Sequence, residues 1–278
     1  MTGITPFYKD QAVNLFHMDC VEGLRLLEEE KYDGLVTSPP YGVGKDYEKT
    51  QSFGEYLKLL ADFTHEAYRV IRQGGYMVIN YADYYSFDGP NSWVQPMEYL
   101  YHLIAERSGW QHMCTRVWKK DFASLVDPYS IATTLPKLEC EHISTFRKPS
   151  EDRVKEVVRE QDLHPRQIWD TSGYKQSTST LKNHKAAYPE VLMQFVFKVY
   201  AEPGQTWIDP FCGSGTTPFV AKKMGIKCVA FEKDLSSCEL SAKRLQQMVF
   251  DIDEVFGEPR QITIDEVVEE PIIVPPDF

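Results

Sequence analysis

Apolar positions along the first forty residues fall into short blocks. Val13 to His17 reads as a strand ending before Asp19. Val21 to Leu27, with leucines at 24, 26 and 27, reads as a short helix. Gly34 to Thr37 reads as a second strand, stopped by Pro39 and Pro40. Two strands joined by a helix form a βαβ unit and predict parallel pairing. Tyr56, Leu60, Phe63, Ala67 and Ile71 then repeat at the helical period, and Gly74 with Gly75 is expected to close that helix. Tyr76 to Asn80, Met113 to Trp118 and His142 to Phe146 read as strands, with residues 119–141 loop-like between the last two. The stretch 150–185 is the most polar of the body. Pro189 then opens an apolar helix to Tyr200, because proline suits a first turn. Thr206 to Ile208 and Cys228 to Phe231 predict two more strands, with a helix from Pro218 to Met224 between them. Asp234 is placed to cap a last helix reaching about Met248. Strands alternating with helices predict an α/β fold with a mostly parallel sheet and helices on both faces.

Composition changes this picture little. The 278 residues are 42% hydrophobic and 26% charged, ordinary for a globular protein. No apolar run reaches the ~18 residues needed to cross a bilayer, and the N-terminus lacks a basic-then-apolar signal pattern. The cytoplasm is the expected compartment. Cysteines at 20, 114, 140, 212, 228 and 238 form no C-x-x-C pair, so buried free thiols are expected and no metal site.

Charge matters more by distribution than by sum. The net charge is −11, but residues 251–278 carry nine acids and one base, a net of −8, leaving −3 for the rest. Within residues 166–187, Arg166, Lys175, Lys182 and Lys185 face Asp170 alone, a basic stripe of the kind that meets phosphate. The tail, with prolines at 271, 275 and 276, is expected to be extended or disordered.

Two segments carry chemistry. The first is Trp207-Ile208-Asp209-Pro210-Phe211-Cys212-Gly213-Ser214-Gly215-Thr216-Thr217, a strand running through a glycine-rich turn into a helix. Glycine lets a backbone approach a ligand where a Cβ would clash. The following strand ends in Glu232, an acid placed to accept ribose hydroxyls. No Gly-Lys-Ser/Thr follows, so this is no P-loop, and Pro218 occupies the place of a third glycine. That favours a nucleoside without phosphates over a dinucleotide. The second segment is Thr37-Ser38-Pro39-Pro40-Tyr41 at a strand end. Two prolines remove two backbone donors, leaving carbonyls free to face a ligand. With the Ser38 hydroxyl and the Tyr41 ring, they form a grip for a primary amine on an aromatic ring. A plain strand-ending turn is the commoner meaning of Pro-Pro.

Together these two segments resemble the amino-DNA methyltransferases, which methylate an exocyclic amine using S-adenosylmethionine. The amine motif precedes the cofactor motif by 171 positions, a circularly permuted order similar to the β group of that family. The resemblance implies a Rossmann-like methyltransferase fold and a cofactor site of Asp19, Cys20, Thr37, Lys185, Pro189, Asp209, Phe211, Cys212, Gly213, Ser214, Gly215, Thr216, Thr217, Glu232 and Lys233. It implies catalysis at Ser38, Pro39, Pro40 and Tyr41, on a base flipped out of duplex DNA. Lys119, Lys120, Arg166, Lys175 and Lys182 are the expected DNA contacts. Serine at position 38 resembles the N4-cytosine enzymes, where N6-adenine enzymes usually carry aspartate. A C5-cytosine enzyme would need a Pro-Cys nucleophile, which is absent. A homodimer and a cognate restriction endonuclease are further partners that the resemblance admits.

The implied organisation is a catalytic half at 1–148, a target-recognition segment at 149–185, a cofactor half at 186–250 and the acidic tail at 251–278. The recognition segment is short. Either the recognised DNA sequence is short, or residues 83–95 and 121–141 share its reading. Trp118 and Trp169 could each meet DNA or serve as local packing. His17, His65, His102 and His112 are isolated in sequence and read as structural.

Overall fold

The computed structural model describes residues 4–40, 52–86, 93–120, 140–151, 166–171 and 188–256. The chain divides into two units, Met1–Leu245 and Gln246–Phe278. In chain order the elements are β1 (Tyr8–Lys9), β2 (Val13–His17), α1 (Cys20–Arg25), β3 (Tyr32–Thr37), α2 (Phe53–Val70), β4 (Ile71–Tyr81), β5 (Tyr84–Ser86), β6 (Trp93–Gln95), α3 (Glu98–Arg107), β7 (Gln111–Lys119), β8 (Cys140–Arg147), β9 (Ile168–Asp170), α4 (Glu190–Tyr200), β10 (Thr206–Asp209), α5 (Thr216–Lys223), β11 (Lys227–Glu232) and α6 (Leu235–Phe256). Of the second unit, the described part is the end of α6.

Among the described residues, nine strands form one sheet in the order β1-β2-β11-β10-β3-β4-β8-β7-β9, and β5 and β6 form a separate pair. The strands β2, β11, β10, β3 and β4 pair in parallel. Beyond β4 the sheet turns antiparallel through β8 and β7.

The alternation of side chains sorts the core into two layers. Leu35, Met77, Ile79, Ile208 and Phe231 point to one face, against Leu24 of α1, Leu60, Phe63 and Ala67 of α2, and Tyr101 of α3. Their sequence neighbours Val36, Val78, Trp207 and Ala230 point to the other, against Leu192, Val196 and Phe197 of α4, Val220 and Ala221 of α5, and Leu245 of α6. A sheet covered on both faces needs near-continuous apolar strands, as β3 and β10 have. The fold is therefore a Rossmann-like α/β sandwich.

From β3 the chain crosses through α2 to β4 on one side. From β10 it crosses through α5 to β11 on the other. The seam between β3 and β10 is thus a topological switch point, and the crevice at the carboxyl ends of such strands is where α/β sheets take their ligands.

Several expectations need correction. Gly74 and Gly75 do not end α2, because Ile71 is already extended at φ −77°. They lie inside β4, where register jumps from Tyr32↔Ile71 to Gly34↔Tyr76. Gly74 has φ 74°, and a Cβ on Gly75 would sit 2.7 Å from the Asp33 carbonyl oxygen. The glycines thus form a bulge held just past the end of β8 by Gly74 N donating to Lys148 O at 3.0 Å. The last helix runs to Phe256 rather than about Met248, six residues into the segment expected to be extended. Residues 257–278 lie outside the described ones. Helix α3 is an addition to the expected elements, because Tyr101 and Ala105 are its only buried residues and leave little periodic signal. The thiols are free as expected, but Cys140, the first residue of β8, is exposed and Cys114 of β7 is half-buried.

Candidate active site

The glycine-rich segment leaves the carboxyl end of β10 and enters α5. Gly213 has φ 51° and Gly215 φ 81°, the left-handed region that favours glycine. They differ in surroundings. A Cβ on Gly215 would lie 2.2 Å from Ser241 Oγ, so that glycine is required for packing against α6. A Cβ on Gly213 would meet nothing within 4 Å, so its backbone borders open space.

Glu232, at the end of β11, fastens this turn. Its carboxylate accepts from Gly213 N at 2.8 Å and from Asp234 N at 2.8 Å. Cys212 N donates to Phe231 O at 3.0 Å. Phe211 sets its ring edge-on to Phe63 of α2 at 5.4 Å. Thr216 and Thr217 turn their hydroxyls inward. Thr216 Oγ1 accepts from Arg244 at 3.0 Å, and Thr217 Oγ1 bonds Tyr188 OH. Arg244 also reaches Glu190 at 2.8 Å, clipping α4 and α5 to α6. Ser214 is buried.

Asp209 is fully buried at the end of β10. Its Oδ1 accepts from Thr37 Oγ1 at 2.6 Å and from Phe211 N at 3.1 Å. Its Oδ2 is buried with no hydrogen-bond partner among the described residues. Burial pushes its pKa up to about 6, against the pull of the hydrogen bonds from Thr37 Oγ1 and Phe211 N.

The Thr37–Asp209 bond joins the two motifs across the switch point. Ser38, Pro39 and Pro40 follow directly from Thr37 at the carboxyl end of β3, with Pro39 buried and its neighbours half-buried. Tyr41 lies outside the described residues.

On the far side of β11, Asp19 caps α1, accepting from Val21 N at 2.9 Å. Met18 N donates to Glu232 O at 2.9 Å, which draws Asp19 and buried Cys20 to the Glu232 end of the sheet. Burial holds the Cys20 thiol well above its usual range. Lys233 is exposed, and its carbonyl lies 3.0 Å from His17 Nε2. Pro189 is the N-cap of α4. Lys185 lies outside the described residues.

Lys119 pairs with Asp170 at 2.9 Å, and Lys120 pairs with Glu141. Arg166 precedes β9, while Lys175 and Lys182 fall outside the described residues. Trp118 and Trp169 are both buried. Trp118 Nε1 donates to Thr171 Oγ1 at 2.8 Å, and Trp169 packs on Phe195 and the Arg116 guanidinium, so both are packing residues.

His102 and His112 are not isolated. Their rings lie 3.9 Å apart where α3 packs on β7. A run of hydroxyls leads inward from them. His112 Nε2 is 3.1 Å from Thr115 Oγ1, which is 2.9 Å from Ser144 Oγ, itself 2.9 Å from Tyr81 OH. Burial and the neighbouring His112 push the His102 pKa down. No signal in the sequence pairs residues from a helix and a strand in this way. Among the described residues there is no metal-binding cluster of His, Cys, Asp or Glu, and no helix long and apolar enough to cross a membrane.

A glycine-rich turn at the switch point, joined to the Thr37–Pro40 segment by the Thr37–Asp209 bond, places the candidate site at the carboxyl ends of β3 and β10 of an α/β sheet. The chain belongs to the N6_N4_Mtase family, described as DNA methylase, whose model matches residues 32–243. It is 26% identical over 259 residues to type II methyltransferase M.ScaI of Streptomyces caespitosus, covering 87% of this chain and 84% of that protein. It is 23% identical to the DNA adenine methyltransferase YhdJ of Escherichia coli (strain K12), covering 88% and 86%. The structure is similar to that of PvuII DNA methyltransferase (cytosine-N4-specific), with a TM-score of 0.70 and 20% identity, covering 91% of this chain and 95% of that one.

The cofactor is S-adenosylmethionine, and the crevice fits it. Open space borders Gly213, an unpartnered buried carboxyl oxygen lies at Asp209, and Glu232 is held by two backbone N–H groups.

Proposed function

We propose that this DNA methylase methylates the N4 amine of cytosine in duplex DNA as a permuted, β-group enzyme. The observation carrying the reading is the 2.6 Å hydrogen bond from Thr37 to Asp209, which sets the Ser38–Pro40 turn beside the cofactor loop. The cofactor, when bound, supplies an electrophilic methyl on a sulfonium. Asp209, Glu232 and the Gly213–Gly215 turn hold it. A flipped base is gripped by the carbonyl of Pro39 and the hydroxyl of Ser38, with Tyr41 offering a ring to stack on. Each amine hydrogen has one acceptor, so the nitrogen lone pair is turned toward the methyl. Catalysis is then mainly positioning. Ser38 is no general base at neutral pH, so the extra proton leaves the methylated nitrogen for solvent once that nitrogen is cationic.

Cytosine is favoured by serine at position 38, and the N4-specific enzyme among the structural neighbours is consistent with it. N6 of adenine is the second reading, favoured by the likeness to YhdJ. The type II relative supports a cognate endonuclease as partner. Digestion of methylated DNA to nucleosides, with mass spectrometry of the product, separates the readings. N4-methyl-2′-deoxycytidine is expected, and N6-methyl-2′-deoxyadenosine as sole product overturns the cytosine assignment.

A further inference from the structure

Of the five tryptophans, four are buried: Trp110, Trp118, Trp169 and Trp207 are at most 6% exposed. Trp93 is 42% exposed. It opens β6, paired with β5 in the register Ser86↔Trp93, Tyr85↔Val94 and Tyr84↔Gln95. A lone two-stranded pair is marginal in water, so this one depends on what backs it.

The backing is aromatic. Trp93 lies 5.8 Å from the Tyr84 ring and meets Phe53 edge-on at 6.1 Å. Phe53 and Tyr84 are 4.8 Å apart, and Tyr56 is 6.0 Å from Tyr84. Asp83 Oδ1 accepts from Met97 N at 2.9 Å, closing the base of the pair onto the start of α3. Tyr56 and Tyr101 beneath are fully buried. The indole therefore stands on a fixed bed with much of its surface in water.

Its location is set by topology. Helix α2 returns the chain from the carboxyl end of β3 to the amino end of β4, so Phe53, its first residue, sits at the carboxyl rim. The β5–β6 pair follows the carboxyl end of β4 at that same rim, where Ser38–Pro40 also lie. None of Tyr84, Tyr85, Ser86, Trp93, Val94 and Gln95 is charged, so nothing on these strands repels phosphate or attracts a charged peptide. A flat, uncharged aromatic surface beside a base-gripping turn matches one chemistry, the face of a nucleobase.

Resting on the DNA-methylation reading above, we propose that Trp93 is a stacking platform for a base of the DNA substrate that flanks the target and is unstacked when the target is drawn out. Flipping one base removes a stacking partner from its neighbour. An indole at the rim replaces that partner and holds the strand open. This gives β6 a direct part in substrate binding.

The protein supplies its own probe, because the accessible tryptophan emission comes from Trp93. Titration with mixed-sequence duplex DNA is expected to quench that emission. Heparin, a polyanion without bases, is expected not to. Trp93→Phe should keep DNA affinity within a few-fold and lose the quench. Trp93→Ala should weaken DNA binding about 5- to 100-fold, the size of one base–aromatic stack, with S-adenosylmethionine affinity unchanged. If the wild type labels DNA from radioactive cofactor and Trp93→Ala binds and labels it equally well, the platform is wrong and the methylation reading stands. If the wild type binds S-adenosylmethionine but labels no DNA, both fall. Emission that is shielded by protein concentration alone marks a self-association face and overturns the platform. Should Trp93→Ala melt early, the quench lost in Trp93→Phe decides.

Discussion

Asp209 offers the sharpest test of the site electrostatics. Its carboxyl is fully buried, and burial lifts its pKa from 3.8 to about 6. The folded protein therefore holds this proton more tightly than the unfolded chain does. The stabilisation from that preference is full below about pH 4 and is lost as the pH rises through about 6. A rise of that size is equivalent to about 3 kcal/mol. Asp209→Asn keeps an oxygen to accept from Thr37 and Phe211 and cannot ionise. Relative to wild type, the cofactor-free variant should gain about 3 kcal/mol on going from pH 4 to pH 8. Paired urea or thermal melts across that range measure the difference, and other carboxylates cancel because both proteins share them. In thermal melts the relative change should amount to roughly 6–12 °C at ~2–4 °C per kcal/mol. A difference between wild type and Asp209→Asn that stays constant from about pH 4.5 to 8 would refute the buried, proton-holding carboxyl.

Three further outcomes are expected. Gly215→Ala places a Cβ 2.2 Å from Ser241 Oγ at φ 81°; it should cost ~1–3 kcal/mol in urea melts, and Ser241→Gly in the same chain should recover part, which a double-mutant cycle reads. Glu232→Ala removes the acceptor of Gly213 N and Asp234 N, so S-adenosylmethionine binding by calorimetry should weaken by ~1–3 kcal/mol; equal affinity rejects Glu232 as the organiser of the loop. Truncation after Phe256 removes a net charge of −5 and should tighten DNA binding at low salt, with the gain fading as salt rises; unchanged or weaker binding points to another role for residues 257–278.

The elements legible in the chain are those whose requirements are local. The period of Tyr56, Leu60, Phe63 and Ala67 places α2, because one buried stripe on a helix needs that spacing. The apolar runs at Val13, Gly34, Thr206 and Cys228 place the parallel strands, because each is covered on both faces. Gly74–Gly75 misleads, since a glycine pair after a helix serves a bulge as well as it serves a cap. Trp118 and Trp169 are ambiguous because an aromatic residue near lysines has the same pattern at a surface as in a core.

The chemistry divides along the same line. Gly213 and Gly215 and the Pro39–Pro40 turn were determined by sequence alone, since a left-handed backbone and a missing donor are properties of residue type. What each side chain meets was decided only by the order of strands. Thr37 reaches Asp209 across 172 positions because β3 lies beside β10. Glu232 grips Gly213 because β11 lies on the other side of β10. Lys119 and Lys120 meet acids because β9 and β8 flank β7. Hydrophobic period and turn chemistry are written within a few residues, whereas partners are set by which strands share an edge, and one-dimensional patterning carries little of that order.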